Sequence, residues 1–314
     1  MKCALCGHSS TRVLRDTLRG GIKRKVLKCT SCSLTFLEPK KKDLHSFYGT
    51  KYRSQYTPLI GKVSTTAETF KIYLPHQKER IARLKPLLKK NMRVLDIGSS
   101  SGHFLHALKP YVKERVSLEY NLKDAAFMRK KLGIKVYTKP IEETDLPKKH
   151  FDLITVIQTF EHIDKPVAFL ESIAPYLKPG GKVYIEVPNV DEALLSVYDV
   201  APYADFSFKE VHVFYYSPKT FAAMLKKGGF GGTVKSIQRM NFLNHVHWLY
   251  TGKPQAGPHI HMAPARLIAK ERTALDKKLN KWVRKVDVEY RNLLNSWGAG
   301  ESLAFVGKPL KNGR

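Results

Sequence analysis

The chain alternates short apolar runs with segments whose apolar residues recur at helical spacing. Val94, Leu95 and Ile97 form an apolar, β-branched run that predicts a buried strand over 93–97. Similar runs predict six more strands, over 115–119, 134–137, 151–157, 182–187, 234–239 and 302–306. Helical spacing predicts helices over 71–90, 121–132, 167–177 and 217–227. This alternation predicts an α/β fold, with a parallel sheet covered by helices on both faces.

A glycine-rich turn follows the first of these strands. Gly98 ends the strand, Gly102 comes four residues later, and the apolar residues of 104–108 then recur at helical spacing. The spacing of the glycines matches neither the dinucleotide-binding turn nor the phosphate loop. A strand, tight turn and helix of this kind let a ligand approach bare backbone. Asp96 stands at the carboxyl end of the strand, where open α/β sheets bind ligands.

Polar residues follow the next strands at the same predicted edge of the sheet. Glu119 ends the second strand, where an acid in a nucleoside-binding sheet accepts hydrogen bonds from the ribose hydroxyls. Ile141 and Glu142 follow the third strand and are candidates to flank an adenine. Gln158 follows the fourth strand at the mouth of the same cleft. The sequence therefore predicts a nucleoside site.

The charge of the chain is strongly basic. Its 314 residues include 55 lysines and arginines against 27 acids, a formal net charge of +28. Such a field favours nucleic acid, anionic lipid head groups or phosphate-bearing metabolites, although a solvated surface explains it equally well. No apolar run approaches the roughly 20 residues of a membrane span, and the first residues lack the apolar core of a secretion signal. We expect a cytoplasmic protein without a membrane span. Peripheral contact with a membrane surface is kept as an alternative.

Four cysteines stand in two close pairs near the start of the chain. The pairs are Cys3 with Cys6 and Cys29 with Cys32, each with two residues between them. Four thiolates make a closed tetrahedral site that suits structural zinc. One alternative is two disulfides, which a cytoplasmic location argues against. The other is a redox Cys-x-x-Cys motif, which the presence of two such pairs argues against. The Gly20-Gly21 step predicts a hairpin, so residues 1–38 are expected to form a zinc ribbon, with His8 as a surface residue.

The rest of the chain divides by composition. Residues 39–70 are expected to form a linker with an aromatic cover that contains Phe47, Tyr48, Tyr52 and Tyr56. Residues 71–314 are expected to form the main domain, with a basic helical insertion at about 241–297. Apolar spacing over 268–293 predicts a long helix, which would pack on the domain, form a dimer face or lie on a lipid surface. Four histidines precede that helix in a predicted loop, as substrate-lining or surface residues: His245, His247, His259 and His261.

The pattern Asp96-x-Gly98-x-x-x-Gly102 resembles the first motif of the class I S-adenosylmethionine-dependent methyltransferases. Glu119, the segment 151–166 and the segment 177–189 follow it as they do in that family. The Glu161-His162 step with Pro166, and the segment 212–218, resemble the branch with ubiquinone-type and sugar methyltransferases. A four-cysteine module before such a domain resembles the sugar methyltransferases of glycan pathways. The resemblance implies a Rossmann-like, doubly wound sheet of seven strands in the order 3-2-1-4-5-7-6.

The resemblance also implies the cofactor and the roles of residues. S-adenosylmethionine would be the methyl donor, with its methionine end at Asp96, Gly98, Ser100 and Gly102. Glu119 would hold the ribose, and Ile141, Glu142 and Gln158 would lie near the adenine and the methionine end. Ser100 replaces a glycine that is frequent in the family, which predicts a mild effect on the loop.

An oxygen acceptor must lose a proton, so a base with a pKa near neutrality helps the transfer. His212 is the first candidate for this base and His162 the second. Sugar C-methyltransferases of the branch tend to carry His-Glu-His where this chain has Glu210-Val211-His212. That difference argues against carbon methylation and leaves oxygen or nitrogen as the methylated atom, of which oxygen is predicted.

The predicted function is therefore methyl transfer to a sugar, nucleotide-sugar or glycan, which would carry phosphate to match the basic charge. An RNA methyltransferase and a catalytically inactive binding protein are the alternatives. An oligomer stays open.

Overall fold

A computed structural model describes residues 2–39 and 63–310. The chain forms two compact units. The cysteine unit contains Met1–Glu38, Val187–Phe221 and Val234–Ala304, and the sheet unit contains Pro39–Glu186, Ala222–Thr233 and Phe305–Arg314. The predicted aromatic cover with Phe47, Tyr48, Tyr52 and Tyr56 lies outside the described residues.

Eleven strands form two sheets in the described part of the chain. They are β1 Thr11–Leu18, β2 Ile22–Cys29, β3 Thr35–Leu37, β4 Arg93–Ile97, β5 Glu114–Leu118, β6 Lys135–Tyr137, β7 Phe151–Ile157, β8 Leu177–Pro188, β9 Phe214–Tyr215, β10 Phe230–Ile237 and β11 Ser302–Pro309. The large sheet has the order β10-β11-β8-β7-β4-β5-β6. Numbered by their order along the chain, its strands read 6-7-5-4-1-2-3, so the expected order is confirmed.

The centre of the large sheet is parallel. Strand β4 pairs in parallel with β5 on one side and with β7 on the other, and β5–β6 and β7–β8 are parallel as well. Leu95, Ile154 and Ile185 are fully buried on adjacent strands, as expected of strands covered on both faces. The chain runs outward in both directions from β4, and such a switch point is where open α/β sheets bind ligands.

Eleven α-helices occur among the described residues. They are α1 Thr66–Tyr73, α2 Gln77–Leu84, α3 His103–Leu108, α4 Leu122–Phe127, α5 Pro166–Ile173, α6 Ala193–Ser196, α7 Ala201–Ser207, α8 Pro218–Lys227, α9 Phe242–Thr251, α10 Pro258–His261 and α11 Ala274–Ser296. The single helix expected over 71–90 is wrong, because α1 and α2 are separated around Pro75. Proline has no N–H for the helical hydrogen bond, and its ring clashes with the preceding turn.

The small sheet has the order β1-β2-β3-β9 and lies in the cysteine unit. Strands β1 and β2 form the expected hairpin, and Gly20 and Gly21 both have φ near +77°, a conformation that suits glycine. Strand β9 comes from a distant part of the chain and pairs with β3. A common core joins these segments: Leu18, Val26, Leu37, Phe208 and Tyr215.

Helix α11, Ala274–Ser296, confirms the long helix that the apolar spacing predicts, but it begins six residues after Ile268, where the predicted helix began. Thr273 caps it together with Asp276 in a reciprocal capping box. The loop predicted for the histidines before it is wrong, because His245 and His247 lie on α9 and His259 and His261 on α10. No helix among residues 2–39 and 63–310 is both long enough and apolar enough to cross a membrane.

A buried carboxyl group lies at the start of α6, in the cysteine unit. The Tyr203 hydroxyl donates a hydrogen bond to Oε1 of Glu192, and Oε2 of Glu192 has no hydrogen-bond partner among residues 2–39 and 63–310. Burial, with a smaller contribution from the Glu301 carboxylate, raises the pKa of Glu192 to about 8. The folded protein therefore holds a proton at Glu192 over a pH range in which the unfolded chain does not.

Because the folded state binds this extra proton, the free energy of unfolding should fall as the pH rises. The pKa of Glu192 is about 8 in the folded protein and about 4.3 in the unfolded chain. Its titration should therefore lower the free energy of unfolding by about 2 kcal/mol between pH 6 and pH 8. The Glu192→Gln variant should lose this part of the pH dependence. Urea unfolding at the two pH values measures it, through the fluorescence of Trp248, whose ring packs on Tyr203 at 4.9 Å. Exposed Glu289→Gln is the control, and an unchanged slope in Glu192→Gln would contradict the assignment.

Candidate active site

The turn between β4 and α3 is held in a conformation that requires small residues. Gly98 has φ of +77°, and a Cβ there would lie 2.2 Å from Oγ1 of Thr159. Gly102 has φ of +76°, and a Cβ there would lie 2.6 Å from Cγ of Met128. Ser100 also takes the left-handed conformation, with φ of +52°, so it occupies a backbone state that glycine would adopt without strain. The two glycines are therefore required both by the backbone and by their close neighbours.

Asp96 lies under this turn at the end of β4. Its carboxylate is buried and accepts a 2.6 Å hydrogen bond from the Thr155 hydroxyl on the neighbouring strand β7. Burial raises the pKa of Asp96 to about 6, although that hydrogen bond and the charge of Arg80 act in the opposite direction. Ser99 donates to the backbone carbonyl of Asp96 and accepts from Ser117. These contacts fix the start of the turn from both neighbouring strands.

Glu119 directly follows β5 and bonds to the turn. Its Oε2 accepts a 2.6 Å hydrogen bond from the Ser100 N–H, and its Oε1 accepts a 2.8 Å bond from the Asn121 N–H. The carboxylate is therefore oriented by backbone on two sides. A carboxylate oriented in this way can accept hydrogen bonds from the two neighbouring hydroxyls of a ribose.

The residues expected near an adenine lie beyond β6. Ile141 is buried and Glu142 is exposed, in a short 3₁₀ turn over Ile141–Glu143. Burial and the nearby carboxylates of Glu142, Glu143 and Glu119 raise the pKa of Tyr120 to about 12. An apolar side chain, a tyrosine and several carboxylates therefore lie near one another beyond β5 and β6.

Gln158 lies at the end of β7, next to the turn. It is half-buried and has φ of +50°, and its N–H donates a 2.7 Å hydrogen bond to the Glu186 carbonyl on β8. Asp96, Gly98, Ser100, Gly102, Glu119 and Gln158 all lie at the carboxyl ends of adjacent parallel strands. The structure thus places the residues expected for the cofactor along one edge of the sheet.

A buried ion pair behind this edge was not found from the sequence. Nε and Nη2 of Arg80 donate to the Glu186 carboxylate at 3.0 and 2.8 Å, and both side chains are nearly inaccessible to solvent. The Tyr184 hydroxyl donates to the same carboxylate at 2.8 Å. The pair ties α2 to β8, next to the carbonyl that accepts from Gln158. The one indication of this ion pair in the sequence is Glu186, a charged residue inside the apolar run 183–187, since buried charges are normally paired.

The two candidate bases lie in different units. His162, in the sheet unit, is buried, with Nε2 3.7 Å from Oε1 of Glu161. His212, in the cysteine unit, is buried just before β9, with its ring 5.8 Å from the ring of Tyr215. Both imidazole rings are therefore largely shielded from bulk water.

The four cysteines form one cluster. Sγ of Cys3 lies 3.5 Å from Sγ of Cys32, Sγ of Cys6 lies 3.6 Å from Sγ of Cys29, and all four sulfurs lie within 4.8 Å of one another. A tetrahedral zinc with Zn–S bonds of about 2.3 Å places its sulfurs about 3.8 Å apart. A disulfide requires about 2.05 Å. His8 is exposed and does not belong to this cluster.

The two cysteine pairs lie in loops with the same backbone hydrogen bonds. The N–H of Gly7 donates to the carbonyl of Cys3, and the N–H of Ser33 donates to that of Cys29. Gly7 has φ of +77° and Ser33 has φ of +66° at the equivalent position. Each loop therefore turns its two sulfurs toward one point, which is the geometry of a metal knuckle.

Comparison with known proteins identifies relatives of this chain. A family model described as "Methyltransferase domain" matches residues 73–233. An uncharacterized protein of Methanocaldococcus jannaschii is 29% identical over 154 residues, which are 49% of this chain and 71% of that protein. A ubiquinone biosynthesis O-methyltransferase of Coxiella burnetii is 29% identical over 105 residues. That match covers 32% of this chain and 45% of the enzyme, so the chain spans less than half of that relative.

The fold matches a solved structure over most of the chain. A SAM-dependent methyltransferase from Archaeoglobus fulgidus aligns with a TM-score of 0.50 and 20% sequence identity. The alignment covers 77% of this chain and 96% of that chain. At this identity, the match concerns the fold.

Proposed function

We propose, since the chain belongs to the methyltransferase domain family, that it transfers a methyl group from S-adenosylmethionine to an oxygen of a small molecule. The observation that carries the choice of donor is the Glu119 carboxylate, bonded to the glycine turn through the Ser100 N–H. The ribose diol of an adenosyl ligand donates hydrogen bonds to such a carboxylate. The methionine part of S-adenosylmethionine also needs to approach the protein backbone closely, which the glycine turn permits.

The residues at the edge of the sheet fit this donor. Glu119 would hold the ribose hydroxyls, Ile141 would pack against the adenine with Glu142 beside it, and Gln158 would lie near the methionine end. Gly98, Ser100 and Gly102 would let the methionine end approach the backbone, on the support of Asp96. S-adenosylmethionine supplies an electrophilic methyl group, and the protein's task is to align it with the acceptor, worth up to roughly 7–11 kcal/mol.

His212 and His162 are the proposed bases, in that order. An acceptor hydroxyl loses its proton as its oxygen takes the methyl group, and a neutral imidazole accepts that proton at physiological pH. Substitution of the correct histidine by Ala should lower the rate of transfer and leave binding of S-adenosylhomocysteine unchanged.

The proposed acceptor is a sugar, a nucleotide-sugar or a glycan. The Glu161-His162 step with Pro166, the four-cysteine module and the net charge of +28 support this class, since the charge suits a phosphate-bearing acceptor. A second class is a phenolic quinone precursor, which the likeness to ubiquinone biosynthesis O-methyltransferases favours.

We further propose that the four cysteines bind one zinc ion. Their sulfur spacing fits a tetrahedral site, and four thiolates leave no open position for a reactive water, so the metal would be structural.

A transfer assay with methyl-labelled S-adenosylmethionine tests the function. We expect label in a nucleotide-sugar or glycan fraction, and parallel reactions contain phenolic quinone precursors, total RNA and protein. Label in the phenolic compounds would move the acceptor to the second class. Label only in RNA would favour an RNA methyltransferase. No transfer, together with no binding of S-adenosylhomocysteine in calorimetry, would favour an inactive binding protein.

A further inference from the structure

Helix α11 has one face that is firmly packed inside the cysteine unit. Asn280, Val283, Asp287 and Leu294 are buried. Oδ1 of Asn280 accepts from the N–H groups of Leu267 and Ile268, and Oδ1 of Asp287 accepts from the N–H of Phe242. These polar contacts fix the rotation of the helix about its own axis. The rotation in turn decides which residues of α11 face solvent.

A second, apolar face of α11 is exposed. Leu275 is 63% exposed, Trp282 58% and Leu293 57%. They are separated by seven and eleven residues, which are about two and three helical turns, so they form a line along the helix. Trp297, just beyond the last turn, is 81% exposed. Large apolar side chains in one line on a surface mark an interaction site more often than scattered ones do.

Lysines flank the tryptophan in this line. Lys278 precedes Trp282 by four residues and Lys285 follows it by three, so both are its neighbours on the helix surface. Both lysines and Lys281 are exposed. The helix carries six basic residues against three acids. Asp276 caps the helix and Asp287 is buried, whereas Glu289 is exposed and lies on the same side as Trp282 and Leu293.

We propose that this face of α11, with Leu275, Trp282, Leu293 and the flanking Lys278 and Lys285, binds the surface of an anionic lipid bilayer. Tryptophan and leucine enter the boundary between head groups and acyl chains, and the flexible lysine side chains reach the phosphates. Anionic head groups complement the lysines, whereas a second copy of the chain would bring like charges together. The chain's net charge of +28 opposes such self-association and favours the anionic surface.

Vesicle co-sedimentation of the 314-residue chain tests this proposal without donor or acceptor, so the result is independent of the proposed function. The vesicles contain phosphatidylcholine alone or with 30% phosphatidylglycerol. We expect binding to the anionic vesicles, weak binding to the neutral ones, and loss of binding as salt increases. The Lys278→Ser/Lys285→Ser variant should bind roughly 30-fold more weakly at low salt, and Trp282→Ser at least tenfold more weakly.

Matched controls separate the helix face from general charge and apolar content. Lys89→Ser/Lys113→Ser removes two exposed lysines elsewhere, and Val13→Ser removes an exposed apolar residue of β1. Both control variants should bind like the native protein. Equal loss in the controls, equal binding to neutral vesicles, or full binding by the α11 variants would overturn the proposal. So would a dimer in analytical ultracentrifugation that Trp282→Ser dissociates, because a second copy would then cover this face.

Discussion

Substitution of Glu119 by Ala is expected to raise the dissociation constant for S-adenosylhomocysteine about 100-fold. A hydrogen bond to a charged group contributes roughly 1.5–3 kcal/mol, and a ribose diol would donate two of them to this carboxylate. The same substitution removes the acceptor for the Ser100 N–H, which bonds to Glu119 at 2.6 Å, so the turn itself should loosen. Isothermal titration calorimetry with S-adenosylhomocysteine measures the change.

Two further variants separate ribose binding from damage to the fold. Glu119→Gln keeps an oxygen for the Ser100 N–H but loses the charge, so its binding should fall between that of the native protein and of Glu119→Ala. Glu114→Ala removes an acid at the opposite end of β5, where Glu114 contacts Arg93 and His150, and should bind S-adenosylhomocysteine normally. If Glu119→Ala and Glu114→Ala bound equally well, the ribose assignment would be wrong.

The large sheet could be predicted because each of its strands is a short apolar run. Five of the seven expected strands start within one residue of the observed strand. The observed β8, Leu177–Pro188, starts five residues before its expected start at 182. The sixth, β10, starts at Phe230, four residues before its expected start, because Gly231 and Gly232 interrupt its apolar pattern. The pattern of apolar residues along the chain indicates which segments are buried, so it is enough to locate the strands. The order of the strands in the sheet was predicted from the family resemblance.

The parts that sequence could not supply depend on contacts between distant residues. The pairing of β9 with β3 joins residues about 180 positions apart, and no local pattern in Phe214–Tyr215 specifies that partner. The Arg80–Glu186 pair likewise joins residues 106 positions apart. At the candidate site, the glycines and Glu119 were readable because a motif fixes their spacing. The contacts of Thr155, Ser117 and Thr159 with this turn could not be predicted, because each of these residues belongs to a neighbouring strand or follows one.

Purified protein is expected to contain about one zinc ion per chain, and the Cys29→Ser variant almost none. A three-thiolate remnant cannot close the tetrahedron, and structural zinc sites contribute directly to the folding of small modules. Cys29 is buried at the end of β2, so the β1–β2 hairpin should also become sensitive to limited proteolysis. Metal analysis by mass spectrometry and the cleavage rate within residues 1–38 measure the two effects.

The matched control for this prediction is Ser31→Ala, an exposed residue between Cys29 and Cys32 that should leave the zinc content unchanged. Binding of S-adenosylhomocysteine should persist in Cys29→Ser, because the residues assigned to that ligand all lie in the sheet unit. Thiol titration of the chain without substitutions, after unfolding and removal of metal, should detect all four cysteines. Finding no zinc and no free thiols would indicate two disulfides, and stoichiometric iron would assign the same four sulfurs to a different metal; either result would contradict the zinc proposal.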